Sequence, residues 1–323
     1  MNASLAGAAT TLVASFVLAR VARSRGWGDG PGGPDGERKL QQSAVPAVGG
    51  VAIALGACVV YLLGGLPLET ALMSWSSNSP PIELSAGWLR GPLGAWALAL
   101  AAGLALASGG LDDLLPRGLS PLLKLTFQAL VGVILVSHEP SFAFLAAGIF
   151  LSILAQNSLN TFDNADGACA GVSAAGLYLC GSPLAPVVGA FLLPNLLRRP
   201  GSREPFAYLG DAGSQLLGVV VLLTPGAWPV LVLPFVDLTH VACRRLGLGL
   251  GPWHGDRRHL AHRLQRAGLG VWAVAGLLLT LSMPVLLWPG ILGTGGTLLA
   301  YGGTCWATRR HAEPKSGGIL PTN

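Results

Sequence analysis

Residues 141–171 read SFAFLAAGIFLSILAQNSLNTFDNADGACAG. The stretch opens as a continuous apolar run and ends in polar residues spaced three apart: Asn157, Asn160, Asp163 and Asp166. A run that is apolar without alternation reads as a buried or membrane-spanning helix, not a strand. If helicity continues, a spacing of three lines the two asparagines and two carboxylates along one stripe. Carboxylates beside a bilayer are costly to keep there and are usually placed for a function. A second apolar run, 166–181, follows at once, so the polar island sits between two spans.

The rest of the chain repeats this pattern. Its 323 residues are 51% hydrophobic and 11% charged, with a mean hydropathy of +0.58. Soluble domains carry about 25% charged residues. Only helices or closed barrels satisfy their backbones in lipid, and long unbroken runs select helices. The predicted fold is an all-α polytopic membrane bundle. Spans are expected near 3–19, 46–66, 93–111, 122–137, 141–157, 166–181, 183–197, 212–226, 228–243, 270–288 and 290–307, which gives ten or eleven crossings. Basic residues follow the first run instead of preceding it, which reads as a span and not a signal peptide. Residues 1–310 form one integral-membrane domain in this reading, with 28–36 and 311–323 expected to be flexible. The 46 glycines suit close helix packing. Cys58, Cys169, Cys180, Cys243 and Cys305 have no metal-type spacing and read as packing residues.

Alternating spans sort the connections into two sets. One set carries every Lys and Arg except Arg90 and is therefore cytoplasmic by the positive-inside rule. Asp112, Asp113, Asp163, Asp166, Asp211, Asp256, His259 and His262 all fall with it, whereas Glu69, Glu83 and Glu139 fall opposite. One cytoplasmic-face site assembled from several loops accounts for this sorting. A transporter would instead place its carboxylates at mid-membrane depth.

Four segments carry the chemistry. Asp112-Asp113 ends an apolar run, and adjacent carboxylates suit a divalent metal or a general base. Lys124 follows at a distance that lets it approach a phosphate. Tyr208-Leu-Gly-Asp-Ala-Gly-Ser214 reads as a tight turn entering a helix. There Asp211 is either an N-cap or a further metal carboxylate. His254-Gly-Asp-Arg-Arg-His-Leu-Ala-His-Arg-Leu264 supplies Arg258, His259 and His262 for anionic phosphate. Asp237, inside an apolar run, is expected to anchor near Arg244 and Arg245, and His240 to be a satisfied bundle histidine.

These motifs resemble, in order and over nearly the whole chain, the polyprenyl-phosphate N-acetylhexosamine-1-phosphate transferases. The resemblance rests on Pro46–Gly50, Leu111-Asp-Asp113, Asn157–Gly167, Leu209-Gly-Asp-Ala-Gly-Ser214, Pro234–Asp237 and Asp256-Arg-Arg-His-Leu-Ala-His-Arg-Leu264. It implies transfer of a sugar 1-phosphate, N-acetylglucosamine 1-phosphate first, from a UDP-sugar to undecaprenyl phosphate with release of UMP. In that scheme Asp112 or Asp113 deprotonates or orients the lipid phosphate. Asp211 ligates Mg²⁺ (Mn²⁺ as a substitute) with Asp113. Lys124, Asn157, Asn160, Asp163, Asp166 and Arg258 shape the substrate pocket, and His259 and His262 contact phosphate or sugar. The implied setting is a bacterial inner membrane, with the site facing the cytoplasm. The implied partners are the lipid and a UDP-N-acetylhexosamine, with a homodimer open to it and no nucleic acid. Alternatives within the resemblance are a phospho-N-acetylmuramoyl-pentapeptide transferase-type activity and an impaired member that only binds lipid phosphate. Ala261 stands where the family's last motif usually has its middle histidine. Asn164 stands for a usual glycine, and Ala47 for a usual arginine.

Overall fold

A computed structural model describes residues 2–28, 44–66, 92–115, 118–137, 141–251 and 257–311. Most of the segment 28–36, the tail beyond His311, Arg90, Glu69, Glu83, Glu139, His254 and Asp256 lie outside the described residues. The helices are α1 (Ala3–Ser24), α2 (Gly49–Leu62), α3 (Pro92–Leu114), α4 (Pro121–Val136), α5 (Phe142–Phe162) and α6 (Ala168–Leu179). They continue as α7 (Ala185–Leu196), α8 (Gly210–Leu223), α9 (Val232–Gly247), α10 (Leu260–Arg266), α11 (Val271–Leu287) and α12 (Ile291–Ala307). Among the described residues there is no strand, only the isolated bridges Ala47–Tyr208 and Arg198–Pro205.

Each expected apolar run is a helix, and the chain is a polytopic helical membrane protein. Ala3–Ser24, Trp96–Leu114 and Phe142–Phe162 are long and apolar enough to cross a membrane. The others are shorter; α6 and α7, at 12 residues each, rise about 18 Å. One helix was not expected: α10 lies within the basic loop between Arg244 and Arg266. The predicted polar stripe is helical only in its first half. α5 stops at Phe162, Asp163 occupies its C-cap position, and Asp166 lies in the following turn.

Helix α8 is the centre of the bundle. Nine of its 14 residues are buried, and it packs against α2, α3, α5 and α6. Small residues make this possible. A Cβ on Gly50 would stand 2.5 Å from the Gly213 nitrogen, and one on Gly218 would stand 2.9 Å from the Gln156 Cα. Phe191, Leu159, Leu209 and Leu217 fill the surrounding core. The start of α8 therefore meets the ends of α3 and α5, which brings three polar motifs to one end of the bundle.

Candidate active site

The C-terminal turn of α3 carries Asp112 and Asp113. Gly118 (φ +63°) turns the chain, and Ser120 caps α4 by accepting the Leu123 N–H at 3.3 Å, with Pro121 opening the helix. Lys124 therefore falls one turn into α4 and faces back toward α3. Its ammonium lies 2.9 Å from Asp112 Oδ2 and 2.7 Å from Asp211 Oδ2. The other Asp112 oxygen accepts the Leu119 N–H at 2.7 Å. Lys124, expected at a substrate phosphate, is thus the cation between two motif carboxylates.

Asp113 does something different. Its Oδ1 accepts the Asp211 N–H at 3.0 Å and its Oδ2 the Ala212 N–H at 3.1 Å. A carboxylate from α3 thus caps the first turn of α8, where orphan amides and the helix dipole favour negative charge. Asp211 itself sits in that first turn and is capped instead of capping. Gly210 (φ +75°) makes the approach possible, since a Cβ there would stand 2.6 Å from Asp113 Oδ2. Backbone amides of the same loop are also used. Tyr208 N–H donates to Pro46 O at 2.9 Å, and Gly49 and Gly50 donate to Tyr208 O and Leu209 O. The Val-Gly-Gly motif is joined to the Leu-Gly-Asp motif in this way.

Helix α5 adds the third wall. Asn160 donates to Ser214 Oγ at 3.1 Å, and Ser214 in turn to Asp211 O at 3.2 Å. Asn157 donates to Gln128 Oε1 at 2.6 Å. Burial pushes the Asp163 carboxyl well above the usual carboxylate range, and the charges of Asp166, Asp211 and Asp113 push the same way. Asp163 therefore belongs electrostatically to the acid cluster. Asp166 pairs with Arg198 at 2.7 Å. Burial raises its carboxyl, against the opposing pull of that guanidinium.

Asn195, not singled out from the sequence, is 2% exposed. Its Oδ1 accepts the Gly167 N–H at 2.6 Å, and its amide donates to Ala207 O at 3.0 Å. It ties the Asp163–Gly167 turn to the loop that leads into Asp211. The only sequence signal was one polar residue inside an apolar run. In Asn195→Ala protein the buried Gly167 N–H is orphaned. Thermal unfolding should register a loss of about 1–3 kcal/mol.

The last motif is held elsewhere. His259 is buried against Asp237, with its Nδ1 2.7 Å from Asp237 Oδ2. His262 faces Gln265 Oε1 at 3.2 Å, and burial pushes its imidazole down to about 4, so the ring is neutral near pH 7. His240 is satisfied by the Tyr301 hydroxyl at 2.7 Å. Asp237 is an anchor as expected, although its hydrogen bonds run to His259, Leu260 and Tyr301.

Among the described residues no three His, Cys, Asp or Glu side chains already surround one point as metal ligands. The donor chemistry nevertheless suits a hard cation, because Asp112 and Asp211 already converge on a positive charge, the Lys124 ammonium.

No family model matches the chain. It is 26% identical to the undecaprenyl-phosphate alpha-N-acetylglucosaminyl 1-phosphate transferase of Yersinia pestis, over 86% of this chain and 80% of that one. The like-named protein of Escherichia coli K12 is 25% identical over 86% of this chain and 79% of its own. That of Pasteurella multocida is 34% identical over 100 residues, 27% of this chain and 28% of its own. Along most of its length the chain is similar in sequence to undecaprenyl-phosphate alpha-N-acetylglucosaminyl 1-phosphate transferases, as its ordered motifs suggested.

Proposed function

We propose that this protein transfers N-acetylglucosamine 1-phosphate from its UDP-sugar to undecaprenyl phosphate, releasing UMP, at the cytoplasmic face of a bacterial inner membrane. The observation that carries the reading is the convergence of Asp112 and Asp211 on Lys124, with Asp113 bonded to the same first turn of α8, at one end of a membrane bundle. Such a site suits a diphosphate brought from water and a phosphate brought laterally in lipid. The relatives' names supply the sugar and the acceptor.

In the reaction, an oxygen of the lipid phosphate bonds to the sugar-bearing phosphorus. The bond from that phosphorus to the bridging oxygen breaks, and the oxygen leaves with UMP. Asp112, whose carboxylate is part exposed beside Lys124, accepts the proton of a singly protonated lipid phosphate and orients it. Lys124 exchanges a carboxylate contact for a phosphate oxygen as charge moves onto the leaving group. Asp113 fixes the first turn of α8, and with it Asp211. Asn157, Asn160, Asp163, Asp166, Arg258 and His262 shape the nucleotide-sugar pocket. A Mg²⁺ held by Asp211 and Asp112, the two carboxylates that already converge on a positive charge, would neutralise diphosphate charge.

The test is a direct assay. Purified protein with undecaprenyl phosphate, radiolabelled UDP-N-acetylglucosamine and Mg²⁺ should yield a labelled lipid diphosphate and UMP. EDTA should abolish turnover, and added Mg²⁺ should restore it. Absence of product with every UDP-N-acetylhexosamine would overturn the reading.

A further inference from the structure

A second polar network, apart from the acid cluster, lies under the basic segment that opens at Arg257. Asp237 on α9 is 3% exposed, and both of its oxygens are used. Oδ2 accepts from His259 Nδ1 at 2.7 Å. Oδ1 accepts the Leu260 N–H at 3.0 Å and the Tyr301 hydroxyl at 2.9 Å. The Tyr301 proton is committed to Asp237, so His240 Nδ1, at 2.7 Å, must donate to the tyrosine oxygen. Leu260 is the first residue of α10. The carboxylate therefore caps that helix while holding the side chain of the preceding residue.

This geometry bears on what His259 does. His259 is 3% exposed. Nδ1 is spent on Asp237, and Nε2 faces Arg245 Nη2 at 3.5 Å. A side chain so enclosed is poorly placed to reach a phosphate or sugar. A seven-residue helix is also too short to hold itself in water, so its position must come from tertiary contacts. Arg263 donates to Cys305 O at 2.5 Å, and Arg266 donates to Arg257 O and His311 O at 2.9 Å. These bonds fasten the far end of α10, and Asp237 fastens its start.

We propose that His259 is a positioning residue: with the Leu260 N–H it clamps the start of α10 onto Asp237, which fixes the segment bearing Arg258 and His262. The inference rests on the proposed transferase reading, in which that segment meets the anionic UDP-sugar. Asparagine at position 259 reaches about as far as the imidazole Nδ1 and keeps an N–H donor, but it has nothing in place of Nε2.

The test compares His259→Asn with His259→Ala and with Asp237→Asn. For His259→Ala the KM for the UDP-sugar should rise about tenfold, in keeping with the loss of one charge-assisted hydrogen bond. Its kcat and its KM for undecaprenyl phosphate should stay near wild type. His259→Asn should recover most of that loss. Asp237→Asn should behave like His259→Ala, and Tyr301→Phe should shift the same KM less. If His259→Asn is as impaired as His259→Ala, the ring itself contacts substrate and the proposal fails; it also fails if His259→Ala keeps the wild-type KM. Hydrogen–deuterium exchange of peptides over 257–266 reads the clamp without any substrate. Faster exchange in Asp237→Asn and His259→Ala, but not in His259→Asn, supports the clamp even if the wild-type protein makes no product. Unchanged exchange in all three overturns it.

Discussion

Asp211→Asn protein should fold as wild type and lose about 10²–10³-fold in kcat, the size expected when one electrostatic contributor to a transition state is removed. The amide is nearly isosteric, and no backbone bond depends on the Asp211 side chain. The first turn of α8 stays capped by Asp113, through the Asp211 and Ala212 amides. What disappears is one negative charge, the partner of Lys124 at 2.7 Å. Lys124 keeps Asp112 at 2.9 Å, so the thermal midpoint should move by no more than a few degrees. Asp113→Asn makes an instructive contrast. An asparagine oxygen can accept only one of the two α8 amides comfortably, because its NH₂ would face the other donor. That variant should lose both activity and about 1 kcal/mol of stability, the usual cost of a missing cap. Asp112→Asn should resemble Asp211→Asn, because its Oδ1 still accepts from Leu119. Assaying the three proteins for lipid diphosphate, alongside their melting curves, separates charge from capping. Full activity in Asp211→Asn would show that its carboxylate has no part in the chemistry.

The membrane bundle was legible because continuous apolar runs leave the backbone only one way to satisfy itself. Every run predicted from hydropathy is a helix, from Ala3–Ser24 to Ile291–Ala307. The gathering of Asp112 and Asp211 was legible too, because both fall in the set of connections that carries the basic residues. Pairings within the cluster were not. Asp113 meets the Asp211 amide across 98 residues of chain, and Lys124 meets Asp211 across 87. Nothing local distinguishes a carboxylate that caps a distant helix from one that waits for a cation. Asp237 makes the same point: Arg244 and Arg245 were the nearby candidates in sequence, whereas its bond runs to His259, 22 residues on. Asn195 was hidden because a single amide in an apolar run has no periodic signature, although burial turns it into a two-way tie. The short helix α10 escaped because it is only seven residues long and four of them are polar. Leu260, Ala261 and Leu264 do pack into the core, but three apolar residues between arginines and histidines make no run.

Two neighbouring glycines on α3 should respond to the same substitution in opposite ways. A Cβ on Gly109 would stand 2.3 Å from the Asp211 carbonyl and from the Ala212 nitrogen, all backbone atoms of α8. No rotamer change can relieve that contact, so α3 and α8 must separate. Gly109→Ala should cost about 1–3 kcal/mol through overpacking, and Gly109→Val more. Activity should fall further than stability. Asp113 lies one turn beyond Gly109 on the same face of α3, so any separation there draws its carboxylate away from the α8 amides. Lys124 would lose its simultaneous reach to Asp112 and Asp211 for the same reason. Gly110 is the control. A Cβ there meets nothing within 4 Å, and alanine favours a helix over glycine by up to about 1 kcal/mol. Gly110→Ala should therefore keep full turnover with an unchanged or slightly higher melting temperature. Equal loss of activity in the two variants would mean that the helix pair does not set the spacing of the acid cluster. Loss in Gly109→Ala alone would identify the backbone contact of α3 with α8 as what holds Asp112, Asp113 and Asp211 in register.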